Sequence, residues 1–139
     1  MINIYGVYFI DYSKTAIEKT IKAFPWRDNG FEVVGFNTNA LKAADEILLL
    51  KPELVITEYQ MPEMCAVSLM NAIKSTGVKS EFIILTVSWS VASMGEFFHS
   101  GGFDYLRKPL EIQDAKNVLT RFHSRIFEPN LTYKKEQIK

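Results

Sequence analysis

At 139 residues, with 47% apolar and 23% charged residues, the chain is long enough for one domain with a proper core and too short for two comfortable ones. Its 16 basic residues balance 16 acidic ones, so it carries no electrostatic footprint for nucleic acid or an anionic membrane. Cys65 is the single cysteine, which excludes an internal disulfide and fits a reducing compartment. The start, Met1-Ile2-Asn3-Ile4-Tyr5, lacks a charged segment followed by an apolar one, and no apolar stretch approaches membrane-spanning length. The expectation is a soluble, cytoplasmic protein without membrane contact.

Strands and helices alternate along the chain. Residues 4–10 read as a first strand, and Ser13 is placed to cap a helix over 14–24 with Ile17, Ile21 and Phe24 on one face. Pro25 ends that helix, and Asn29-Gly30 is a turn dipeptide before a second strand over 31–36. Asn39 caps a helix over 40–50 with Leu41, Ala44, Ile47 and Leu48 at helical spacing. After Lys51-Pro52 the apolar run Leu54-Val55-Ile56 leads to Thr57-Glu58 and a Met61-Pro62 turn. Such a short bounded run is the pattern of a strand buried on both faces. A third helix over 64–75 stops at Gly77, and a fourth strand runs over 82–86. A helix over about 90–100 ends at Gly101-Gly102, a short strand spans 103–107, and a last helix over 111–126 turns Ile112, Ala115, Leu119, Phe122 and Ile126 inward. Five β–α units with short connections imply a doubly wound α/β fold, a parallel sheet covered on both faces. The domain is expected over 1–126, with the polar stretch 127–139 as linker or tail.

Four reactive side chains end or follow apolar runs: Asp11, Glu58, Thr86 and Lys108. Carboxyl ends of strands form the rim where open α/β sheets place their ligand sites. Two carboxylates, a hydroxyl and an ammonium gathered there suit a metal and a phosphoryl group.

These residues carry a resemblance. Ile10-Asp11, Ile56-Thr57-Glu58 with Met61-Pro62, Leu85-Thr86 and Asp104-Tyr105-Leu106-Arg107-Lys108-Pro109 resemble the receiver domains of two-component response regulators over residues 2 to about 126. The resemblance implies a flavodoxin-like, five-stranded parallel sheet in the order 2-1-3-4-5 and a cis Lys108-Pro109 bond. Glu58 would stand at the phosphoacceptor position, Thr86 and Lys108 beside it, and Thr86 with Tyr105 as the switch pair. The stretch from Phe24 to Gly35 is also similar to receivers fused to AraC-type helix-turn-helix domains. The implied partners are a sensor histidine kinase, a second copy of the chain meeting it over the fourth helix, fifth strand and fifth helix, and DNA only through an output domain outside this chain.

The departures weaken phosphate chemistry. The family ends its first strand with an acidic pair, where this chain has Asp11 and Tyr12; Glu58 replaces the aspartate, and Met64-Cys65-Ala66 replaces a Met-Asp-Gly turn. Magnesium takes oxygen donors, and those left are Asp11, Glu58 and the backbone carbonyl of Gln60, a weak site. Glu58 adds roughly 1.5 Å of reach, against a tolerance on the order of 1 Å before rate suffers. Extended toward Lys108 and Thr86, its carboxylate would mimic a phosphorylated state and draw Tyr105 inward. The expected function is regulation by protein contact, without enzymatic activity or a firmly held cofactor. The rival readings are a receiver with weak magnesium-dependent phosphotransfer and, more remotely, a flavodoxin-like flavin carrier. The latter needs a phosphate cradle that Tyr12-Ser13-Lys14-Thr15, without glycine, supplies poorly. Cys65 reads as inert for lack of a flanking basic cluster, and His99 and His123 stand too far from other ligands to suggest a metal.

Overall fold

The computed structural model describes residues 3–127; the expected tail lies outside them except for its first residue. Five strands, β1 (Tyr5–Ile10), β2 (Phe31–Asn37), β3 (Leu54–Thr57), β4 (Glu81–Thr86) and β5 (Asp104–Arg107), alternate with five helices. These are α1 (Lys14–Ala23), α2 (Ala40–Leu50), α3 (Ala66–Ser75), α4 (Val91–His99) and α5 (Ile112–Phe127). All strand pairings are parallel, in the order β2-β1-β3-β4-β5.

The central strands are apolar on both faces because both faces are covered. Val7, Phe9, Leu54, Ile56, Ile83 and Leu85 pack under α1 and α5 with Ile17, Phe24, Ala115, Leu119 and Phe122. Tyr8, Ile10, Val55, Phe82 and Ile84 face α2, α3 and α4 through Ala40, Ala43, Ile47, Leu69, Ile73 and Phe97. Burying one such side chain contributes roughly 1.5–3 kcal/mol, so the two layers hold the sheet. Tyr8 is fully buried, and its hydroxyl donates to the Glu46 carboxylate on α2, tying that helix to β1.

Helix starts follow the expected caps. The Ser13 hydroxyl accepts from the Ala16 N–H (3.2 Å), and the Asn39 side chain accepts from Leu41 and Lys42 (2.9 and 3.0 Å). The Glu63 carboxylate, from the loop after β3, also accepts from the Ala40 N–H (2.8 Å). Three expectations shift. Leu41 is exposed because Ala40, Ala43 and Ile47 form the sheet-facing stripe, which lets α2 sit close on small side chains. Ile112 is half exposed because Leu110, just before the helix, already fills that place in the core. The third helix begins at Ala66 rather than 64, since an isolated bridge between Gln60 and Cys65 and an Ala66 N–H to Tyr59 carbonyl bond (2.7 Å) close the preceding loop. After α4 the chain turns so tightly at Gly102 that a Cβ there would lie 2.3 Å from the Phe97 ring.

Candidate functional site

The sheet continues one residue past three of its strands, and this places the site. The Asp11 N–H bonds the Asn37 carbonyl (3.4 Å), the Glu58 N–H the Ile10 carbonyl (2.9 Å), and the Lys108 N–H the Thr86 carbonyl (3.0 Å). Asp11, Glu58 and Thr86 are each buried, with 4–6% of their surface exposed. The Lys108-Pro109 bond is cis, as the resemblance implies.

Lys108 meets both acids. Its Nζ donates to Asp11 Oδ2 at 2.5 Å and to Glu58 Oε1 at 2.9 Å. The remaining oxygens are also engaged. Asp11 Oδ1 accepts from the Ser13 N–H (2.9 Å), and Glu58 Oε2 accepts from the Tyr59 N–H (2.6 Å). Burial pushes the Lys108 ammonium down, but the hydrogen bonds and charges of Asp11 and Glu58 outweigh it and hold the group above the ordinary lysine range.

The other expected residues are differently placed. Thr86 lines the same open cleft as Glu58, Tyr12, Gln60 and Ser88, yet its hydroxyl donates to the Ser88 carbonyl (3.3 Å) and not to Glu58. Tyr105 faces outward and is 40% exposed. Two features required for a phosphorylated-like arrangement are therefore corrected: the hydroxyl is turned away and the aromatic ring is not drawn in. Gln60 is exposed, and so is Tyr12, at 59%.

A divalent cation, which the fold family implies, does not fit this donor set. It would need several oxygen donors at once. Each oxygen of the two carboxylates already accepts a hydrogen bond, one on each acid from the ammonium, and Tyr12 presents a phenol where a further carboxylate would be needed. No group of three or more His, Cys, Asp or Glu residues suited to a metal occurs among the described residues. The ammonium lies where a cation would balance the acids.

Sequence reasoning missed the two backbone donors and the aromatic surround of Tyr105. The Ser13 donor had an overlooked signal, because an Asp side chain commonly accepts from the backbone amide two residues on. Cys65 stands at the N-cap of α3. Burial pushes its thiol up, while hydrogen bonds from Ser68 and the Ser68 and Val67 amides bring it below the ordinary value. His123 packs on Tyr5, Phe31 and Phe122, with Nε2 2.9 Å from the Asn29 carbonyl, a core role.

Residues 7–120 match the family model of the response regulator receiver domain. The chain belongs to that family. It is 29% identical over 102 residues to the transcriptional regulatory protein CitB of Klebsiella pneumoniae, covering 73% of this chain and 42% of that protein. It is 32% identical over 99 residues to a protein-glutamate methylesterase/protein-glutamine glutaminase of Nocardioides sp., covering 69% of this chain and 27% of that one. The receiver thus spans less than half the length of these curated relatives. In fold it is similar to the REC domain of AraT, a response regulator from Geobacillus stearothermophilus, with a TM-score of 0.82 at 19% identity over 91% of this chain and 98% of that one. The receiver is a signalling module of two-component systems, and no helix among its described residues is long and apolar enough to cross a membrane.

Proposed function

We propose that this receiver signals by protein contact without taking up phosphate, its degenerate site being closed by its own lysine. The observation that carries this reading is the full engagement of both carboxylates. The oxygens of Glu58 that would attack a phosphoryl group are held by Lys108 and the Tyr59 amide. An attacking oxygen must be free and aligned within about 1 Å, and the charge on a transferring phosphoryl group calls for a metal ion that the donor set does not favour. With the site closed, Tyr105 is outward and Thr86 is turned to Ser88, so Glu58 does not imitate phosphate.

The relatives' length supports a role within a larger regulator. In this reading the receiver sits in the cytoplasm, takes no part as an enzyme, and controls an AraC-type DNA-binding domain through homodimer contacts over α4, β5 and α5. That face offers Phe98, Tyr105, Arg107, Arg121 and Arg125, side chains of the kinds enriched at interfaces. A sensor histidine kinase would then address it by docking alone.

Incubation with radiolabelled acetyl phosphate and magnesium tests the reading. The wild-type chain is expected to stay unlabelled, and Glu58→Asp combined with Tyr12→Asp to gain labelling. Stable, rapid labelling of the wild type would favour the phosphotransfer reading instead.

A further inference from the structure

A group of rings packs around the exposed Tyr105 of β5. Trp89, in the loop 87–90, is half-buried against the core layer that contains Phe82 and Phe97. Its ring lies 4.3 Å from that of Tyr105, edge-on at 68°. The Arg107 guanidinium lies over the same indole, 4.9 Å from its centroid. Phe98 reaches Tyr105 at 6.2 Å and rests against buried Phe97 at 5.4 Å. Tyr105 is thus held outward by Trp89 and Phe98 through edge contacts of the kind aromatic pairs prefer, and Arg107 adds a cation–π contact to the Trp89 ring. The same loop also captures Thr86, whose hydroxyl donates to the Ser88 carbonyl. One short segment therefore holds the hydroxyl on the site's side and the phenol on the outer side.

We propose that Trp89 is an autoinhibitory latch: it keeps Tyr105 outward and Thr86 turned from Glu58, so that changes at the ion-paired site do not reach the β5 face while the indole is seated. A perturbation can move an equilibrium only through states it favours differently, and the latch lowers the population of the inward state. Displacing the indole, by a partner that takes the ring or by substitution, reconnects the two. The inference rests on the reading of the site as closed without phosphate.

Backbone amide NMR shifts of the 139-residue chain caused by Glu58→Ala test it, recorded with Trp89 intact and after Trp89→Ala. With Trp89 intact the shifts are expected to stay around Asp11, Tyr59 and Lys108. After Trp89→Ala they should extend to Phe98, Tyr105 and Arg107, and the Tyr105 ring should lose its fixed side-chain couplings. Trp89→Met, which fills volume without a ring, should act like alanine and serves if alanine unfolds the loop; Trp89→Phe should act like the wild type. Shifts that reach Tyr105 with Trp89 in place, or that remain local after its removal, overturn the latch. Labelling by acetyl phosphate would overturn the closed-site reading separately, since it leaves ring positions unread.

Discussion

At the scale of single residues, Lys108 holds together two acids that would otherwise repel across a few ångströms. Removing one partner from a buried ion pair leaves an uncompensated charge, which costs about 3–5 kcal/mol. With 19% of its side chain exposed, Lys108→Ala is expected near the low end of that range by urea denaturation at neutral pH. The pH dependence has a fixed sign. The folded state binds the lysine proton more tightly than the unfolded state does, so the contribution is full below about 10.4 and is lost as pH rises through the higher folded value. The gap between wild type and Lys108→Ala should therefore narrow as pH is raised into strong alkali. Gly102→Ala should also destabilise, by about 1–3 kcal/mol, because its Cβ would meet the fully buried Phe97 ring; thermal melting measures it. Asp11, Glu58 and Lys108 were legible as a cluster because each stands just past the carboxyl end of a strand. The outward Tyr105 was not, since a ring's direction depends on neighbours such as Trp89 that are distant in sequence.

Among the elements, strands and helices were readable from period and caps, and the misreadings all concern which face or which end. Leu41 and Ile112 fit helical spacing but lost the core to smaller or earlier neighbours, Ala40 and Leu110. Spacing fixes a stripe only within a residue or so, and packing chooses its final azimuth. The end of α2 offers a test of local backbone chemistry. Lys51 closes that helix in the left-handed region at φ 47°, its N–H bonded to the Ile47 carbonyl. A side chain there costs roughly 1–2 kcal/mol, while glycine loses roughly 0.5–1 kcal/mol in unfolded-state entropy. Lys51→Gly should therefore stabilise the domain by about 0.5–1 kcal/mol, read as a raised midpoint in denaturant with unchanged slope.

For the whole molecule, the parallel order of the sheet is what turns a sequence of strand ends into a site: Asp11 and Lys108 are 97 positions apart and in contact. That order was legible only through the resemblance, because alternation alone permits several windings. A ligand that binds the folded state alone stabilises it by an amount that grows with the logarithm of its concentration relative to its dissociation constant. With both carboxylates engaged by Lys108, millimolar magnesium is expected to leave the melting temperature of the wild type unchanged and to raise that of the Glu58→Asp, Tyr12→Asp variant. A rise of equal size in the wild type would show that the ammonium yields its place to the ion.

The register of β1 on β2 slips by one residue, Val7 facing Val33 and Tyr8 facing Gly35, so that Val34 is an extra residue on the outermost strand. Val34 and Phe36 leave 36% and 43% of their surface in solvent there. A straight edge carrying such side chains would present a regular row of free amides and carbonyls on which another polypeptide could lay down a strand. The inserted residue bends the strand and breaks that row. At high concentration the domain is therefore expected to resist fibre-like growth along this edge, despite the exposed Val34 and Phe36.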